Sequence, residues 1–466
     1  MSELAQTRKF KATEENAGKT DKLKMGLPTM MGICIGLVIV QGAMISATQG
    51  IALGGMSFIV AMVAAFILAQ FNAMSFAELS LMFPHEGTLA TYTQKAIGHL
   101  PAIVSVFAGY VVVAILALPV EMFLVDAMVN KMLPGLFPEK VVPLIILAVL
   151  TVTNLIGTDV FARVQNLLAF ILVVALILVG VCAITGTPEA HPVLTGKLVD
   201  WSFSGVIDGS FVHLIALAMW LMVGIEFICP MINEVKAPLK NIPRAMHLSL
   251  LMIFLIFLAF AYGASLYLNV DTLLSSPIPY LDYIDAVFGK IGLVIATIMA
   301  LAATCSTLNT ILASVPRMLH GMAMEKQVFP IFKAKNRRKA PWVGILFIAV
   351  STAIPYLLVD ESSLIVLVIA ATTSWLLAYI VAHIDVIVLR LRLPKEERPY
   401  KTPFYPVPQI AGIIAMGYVA LNNSPSPEMT SLVYSITGGI LLVISLGSAV
   451  WVKFYMKRGL FTPDND

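Results

Sequence analysis

Few residues in this sequence have the means to do chemistry inside its apolar runs, and Glu226 is foremost. It lies in the stretch Ala216-Leu-Ala-Met-Trp220-Leu-Met-Val-Gly224-Ile-Glu226-Phe-Ile-Cys-Pro230. Glycine costs roughly 1 kcal/mol in a helix interior and proline about 3, and a carboxylate at bilayer depth is expensive unless it faces protein or water. Gly224, Glu226 and Pro230 fall within seven residues. Such a stretch predicts a broken helix lining a solvated cavity, because irregular backbone survives at that depth only there. In that setting Glu226 either meets a substrate ammonium or a coupling proton, or caps a broken helix end.

Other candidates are sparser. Glu121 and Asp126 follow Pro119 and lie towards the outer end of their span, where a wet mouth accounts for them as well as cation binding does. Trp220 either roofs the cavity through a cation–π contact or is ordinary packing. His85, His99, His213, His247 and His383 share no period and pair with no Ser, Cys or Asp in a catalytic arrangement. Cys34, Cys182, Cys229 and Cys305 are far apart inside apolar runs and read as packed thiols. No glycine-rich phosphate loop is present, which argues against a nucleotide-driven pump. An enzyme is not expected, and neither a cofactor nor a metal is implied.

The elements that position these residues follow from composition. The chain has 466 residues, of which 59% are hydrophobic and 12% charged, with mean hydropathy +0.90. Soluble proteins carry roughly 25% charged residues, so this is an integral membrane protein. Its net charge of +3 gives no sign of a nucleic-acid partner; the expected surroundings are membrane lipid. Residues 1–24 read as a disordered cytoplasmic tail without a cleavable signal peptide, so the first apolar segment itself directs insertion.

Met25 to Ala77 contains no charged residue and is long enough for two spans, divided at Gly50 and Gly54-Gly55 into 27–49 and 55–76. Further spans are expected near 97–128, 141–157, 163–186, 208–232, 245–269, 287–316, 341–359, 363–390, 406–423 and 430–454. With twelve spans and both termini inside, 26 of the 30 Lys and Arg residues lie on the cytoplasmic side, leaving Lys131, Lys140, Lys197 and Lys290 outside. That asymmetry is what cytoplasmic loops require.

Spans one and six share an anomaly. The first carries Gly32, Gly36, Gln41 and Gly42 in mid-membrane, as the sixth carries Gly224, Glu226 and Pro230. Interrupted segments at matching positions of two halves point to an inverted-repeat transporter. Residues 25–392 then form the core, with repeats 25–186 and 208–392; helices 11 and 12 (393–456) are additions, and 457–466 is a cytoplasmic tail.

Four stretches carry a family resemblance: Phe76 to Gly87 with Tyr92; Gly224-Ile-Glu226 with Asn233 to Arg244; Ser306 to Pro330, containing Asn309 and Arg317; and Arg398 to Pro406. They lie in order along nearly the whole chain, and the sequence resembles the amino acid/polyamine/organocation permeases. The resemblance implies the leucine-transporter-type fold, an all-α membrane protein of twelve helices in a 5+5 inverted repeat with helices one and six broken. It implies a substrate site between the two breaks, at Gly36, Gln41, Gly42, Ala43, Gly224 and Glu226, with Trp220 and Glu121 beside it.

Two departures from the family pattern bear on substrate and coupling. In amino acid carriers a glycine-rich turn in helix one offers N–H groups to the substrate carboxylate; here it is Val40-Gln41-Gly42-Ala43-Met44. The β-branched Val40 resists positive φ, which weakens carboxylate capture and favours an amine without a carboxylate. In span five, Leu172 stands where proton-coupled relatives carry a lysine. Ser306 and Asn309 remain candidates for a coupling ion, sodium or proton.

The expected function is a secondary carrier in a prokaryotic plasma membrane, moving a small amine-bearing solute (a polyamine, an ethanolamine-like amine or an amino acid) by proton symport or exchange. Ordinary amino acid uptake is the alternative within transport. A non-transporting sensor or structural subunit is the alternative of another class.

Overall fold

The computed structural model describes residues 24–207, 211–423 and 427–464. The expected disordered tail at 1–24 lies almost wholly outside the described residues. Within them the chain is helical, and its β-type pairings are two isolated bridges, Met25 with Val235 and Val193 with Leu268. The main helices are α1 (Leu27–Val38), α2 (Gln41–Gly54), α3 (Met56–Met82), α4 (Leu89–Ala96), α5 (His99–Met132, with a π turn at Phe107–Val111), α6 (Val141–Ile156) and α7 (Thr158–Thr185). After α8 (Phe211–Met219) comes a 3-10 segment, Ile225–Glu234. Then follow α9 (Pro238–Tyr267), α10 (Pro279–Phe288), α11 (Gly292–Met324), α12 (Trp342–Leu358), α13 (Glu361–Arg392), α14 (Val407–Leu421) and α15 (Pro427–Val450).

Seven helical stretches are long and apolar enough to cross a bilayer, and the bent pair α1–α2 makes an eighth. The shorter apolar helices are α6, α12 and α14. The protein is thus an all-helical, multi-span membrane protein. The surface of α7 shows why: Leu167, Phe170, Val174, Ile177, Val181 and Ile184 form an exposed stripe at helical spacing, while Gln165, Ala169, Leu172, Leu176 and Val179 are buried. Such a stripe is stable facing lipid and costly facing water.

The end of the first span differs from the sequence expectation. The first span does not end at Gly50; α2 continues to Gly54, and the turn falls at Gly55, whose φ of +47° suits glycine. Gly50 instead makes room for the Phe58 ring of α3, which fills the space where its side chain would be. The first span is interrupted, and so is the stretch expected to be the sixth. α1 and α2 meet at 62° across Ile39 and Val40, and α8 stops at Met219, five residues before Gly224 opens the 3-10 segment.

The two interruptions face each other. α1 packs against the 3-10 segment as well as α7, α9 and α11. The Cys34 thiol donates to the Ile225 carbonyl at 3.5 Å, and a Cβ on Gly224 would stand 3.0 Å from the Leu37 side chain.

Candidate transport site

The break in the first span is built around ordinary extended backbone. Val40 has φ −108° and ψ 166° and is the residue before α2. A β-branched residue is well suited to that conformation, so the expectation that Val40 spoils an anion-binding turn is corrected: no positive φ is needed. The turn is a plain helix N-terminus, with its first N–H groups unpaired within the helix.

Those donors can be followed one by one. The N–H groups of Ala43 and Met44 bond back to the Val40 carbonyl at 3.1 and 3.2 Å. The N–H groups of Gln41 and Gly42 donate to the two oxygens of Glu121, each at 3.1 Å. Thr304 Oγ1 adds a third bond to Glu121 at 3.2 Å. Glu121 is 7% exposed and bonded to the break in the first span, so a wet mouth does not account for it. Asp126, five residues on, accepts the Lys140 backbone N–H with both oxygens at 3.1 Å and so caps the start of α6.

Gln41 is pinned as a side chain too. Its Oε1 accepts from Tyr280 at 2.6 Å and its Nε2 donates to Thr304 at 2.8 Å. Gly42 leaves a gap in which a Cβ would lie 3.4 Å from Glu121 and 3.2 Å from Trp220 Nε1. Trp220 is therefore beside the break and lines a cavity of about 970 Å³ together with Ser46, Gln49, Asp200, His213 and Thr372.

The break in the sixth span holds the second carboxylate. Gly224, at φ +117°, is a conformation that only glycine adopts readily, and it turns the chain into the 3-10 segment. Glu226 accepts from Trp375 Nε1 at 3.1 Å and from the Tyr379 hydroxyl at 2.9 Å. Tyr379 in turn accepts the Gly224 backbone N–H at 3.0 Å, so one hydroxyl ties the unwound backbone to the acid. Phe227 stacks edge-on between Tyr110 and Trp375, with centroids at 5.2 and 5.9 Å. The π turn places Tyr110 there, and Gly109 lets that turn close against Ala378. Among the described residues, no Lys, Arg or His forms an ion pair with either carboxylate.

The space between α1, α7 and α11 is filled by amides. Gln165 Nε2 donates to the Gly32 carbonyl at 3.0 Å and to Ser306 Oγ at 2.7 Å. Thr307 donates to the Gly36 carbonyl at 3.1 Å. Asn309 donates to Gln165 Oε1 at 3.0 Å and accepts from Asn154 at 2.9 Å. Gly36 is required by this packing, since a Cβ there would fall on Ser306 Oγ and Gln165 Nε2.

At the end of the helices where α1 begins, three acids knit the chain together. Glu78 pairs with Arg390 at 2.7 Å and Arg398 at 3.5 Å and accepts the Thr402 backbone N–H at 2.8 Å. Glu234 pairs with Arg317 at 3.1 Å, beside the backbone bonds Met25 N to Glu234 O at 2.8 Å and Lys236 N to Met25 O at 2.9 Å. Glu86 meets His320 at 2.9 Å and Lys335 at 3.2 Å. Burial raises the Glu86 carboxyl, but the His320 hydrogen bond and the Lys335 charge outweigh it and hold it at about 2.

The structure thus gathers Gln41, Gly42, Ala43, Glu121 and Trp220 at the first break and Gly224 and Glu226 at the second. Gly36, Ser306 and Asn309 belong to the amide cluster. Trp375, Tyr379, Tyr280, Thr304 and Gln165 escaped the sequence reading; the one signal available was the spacing of Trp375 and Tyr379, four residues apart and hence on one helix face.

Comparison with known proteins agrees with this architecture. A family model described as amino acid permease matches residues 20–447. The chain is 25% identical to the human cystine/glutamate transporter over 431 residues, covering 89% of this chain and 83% of the relative. It is 22% identical to a branched-chain amino acid permease of Bacillus subtilis over 454 residues, covering 91% and 93%. To a serine/threonine exchanger of the same organism it is 24% identical over 421 residues, covering 87% and 92%. With nearly its whole length matched by one family model, the chain belongs to the amino acid permease family.

Proposed function

We propose that this protein is a secondary active transporter that moves a small amine-bearing solute across the plasma membrane by alternating access. The supporting observation is the pair of facing chain breaks, each holding a buried carboxylate without a basic partner. A buried carboxylate with hydrogen-bond donors but no ion-pair partner is still costly at that depth, and an ammonium group offsets the cost. Twelve spans in a 5+5 inverted repeat, with both termini cytoplasmic, fit the two breaks and the basic end. In that arrangement the three-acid belt closes the cytoplasmic face, and the cavity above Trp220 opens to the outside. Passage to the inside requires Met25 to part from Val235 and Arg317 from Glu234.

The names of the relatives favour ordinary amino acid uptake as a second reading. For coupling, exchange or proton symport is the better supported choice. Gln165 donates to Ser306 and the Gly32 carbonyl with an uncharged amide, and a sodium ion there would have to compete with it for these oxygens.

A thermal-shift screen of the purified protein against amino acids, their decarboxylated amines, polyamines and ethanolamine tests the proposal. A ligand at 100 times its Kd stabilises the folded state by about 2.7 kcal/mol. Stabilisation by at least one amine-bearing compound is expected; a response only to amine-free solutes would overturn the proposal.

A further inference from the structure

We propose that Glu121 is an internal carboxylate that occupies the substrate-carboxylate position of the transport site, and that it thereby selects for amines lacking a carboxylate. The proposal rests on the transport function above and deepens it by naming the substrate class.

The hydrogen-bond inventory carries it. The first four N–H groups at the start of α2, those of Val40 to Ala43, have no partner one turn earlier in the helix. Val40 donates to the Val38 carbonyl and Ala43 to the Val40 carbonyl, and Gln41 and Gly42 donate to Glu121. Val40 supplies no side-chain cap, so Glu121 is the anion that the helix end holds. Its position is fixed by a closed ring of donors: Tyr280 donates to Gln41, Gln41 to Thr304, Thr304 to Glu121, and Glu121 accepts from the Gln41 backbone.

A carboxylate arriving with a substrate would find no free N–H at this end of α2. It would also meet a like charge at close range in a medium that screens it poorly. An ammonium group is attracted to the same place. Gly42 lies between Glu121 and the cavity-lining Trp220: a Cβ there would stand 3.4 Å from Glu121 Oε1 and 3.2 Å from Trp220 Nε1. Val40 has no part in the discrimination; Glu121 performs it.

The test has two arms on the full-length purified protein. In the first, the melting temperatures of wild type, Glu121→Ala and Glu121→Gln are measured with added sodium acetate against sodium chloride at equal concentration. Acetate should raise the melting temperature of Glu121→Ala and leave wild type unmoved, because only the variant has an empty carboxylate position. Equal responses of wild type and both variants would overturn the proposal.

In the second arm, the affinities for ethanolamine and serine, and for putrescine and ornithine, are compared. The preference for the amine over its parent amino acid should fall at least tenfold in Glu121→Ala. An unchanged ratio would overturn the proposal, and Glu121→Gln carries the same comparison where the alanine variant fails to fold. The acetate response needs no transport, so a protein that takes acetate in the variant and moves no amine would sink the transport function alone.

Discussion

The Glu121 carboxylate accepts the backbone N–H of Gln41 at 3.1 Å, across 80 residues of chain, at the point where the first span is broken. An acid at a helix N-terminus is favoured by the helix dipole by about 0.3–1 kcal/mol, and by up to about 2 when partly buried. One side chain therefore both stabilises an otherwise costly break and sets the charge of the site beside it. Glu226 does the equivalent for the second break through Tyr379, which is bonded to the acid and to the Gly224 backbone at once.

Tyr379→Phe removes a donor to Glu226 and the acceptor of the Gly224 N–H without changing the ring. An unsatisfied buried polar group costs about 1–3 kcal/mol. The melting temperature should fall clearly, and further than for Tyr434→Phe, whose hydroxyl donates to a single carbonyl, that of Ala420, at 2.9 Å. Equal losses in the two variants would show that Tyr379 does not hold the break.

Gly36→Ala and Gly417→Ala place the same methyl group in opposite surroundings. At Gly36 it falls on Ser306 and Gln165; at Gly417 nothing lies within 4 Å. Overpacking costs about 1–3 kcal/mol, whereas alanine gains up to about 1 kcal/mol over glycine in a helix. Thermal melts should show Gly36→Ala below wild type and Gly417→Ala at or above it.

The Glu86 contacts carry a pH dependence whose sign follows from its depressed carboxyl. A carboxyl at about 2, below its ordinary value near 4.5, stabilises the folded state fully above that ordinary value. The contribution is lost as the pH falls from about 4.5 towards 2. Glu86→Gln should therefore flatten the decline of stability with acid in that window. An identical acid profile in wild type and variant would contradict the assignment.

Under the proposed exchange or proton coupling, replacing sodium by potassium in the transport buffer should leave uptake unaltered, with the Gln165 amide donating to the Gly32 carbonyl and Ser306 Oγ. A steep dependence of initial rate on sodium concentration would contradict it.

Much of this was legible from residue types. Gly224, Glu226 and Pro230 announce a broken span because each is costly in an apolar helix, and the structure breaks there. The motif stretches were visible, but what they do was not. Glu78 meets Arg390 and Arg398 more than 300 residues away, and Glu234 meets Arg317; no local period encodes such pairs. Position along the span alone puts Glu121 near outer water, whereas the break at Val40 brings a helix end to meet it. Residue type at Val40 is no guide to the turn, because the chain there is extended and needs no positive φ. Trp375 and Tyr379 stayed hidden because aromatic residues are common in apolar helices and only their partner, Glu226, gives them meaning.

The most direct measurement is uptake into proteoliposomes of amines and amino acids identified by thermal shift, comparing wild type with Glu226→Gln. The glutamine keeps the size and one acceptor for Trp375 and Tyr379 but removes the charge. Saturable amine uptake by wild type, reduced at least tenfold in a variant that still folds, is the expected result. Uptake undiminished in the variant, or no uptake of any amine-bearing solute by wild type, would contradict a transport site built on these two breaks.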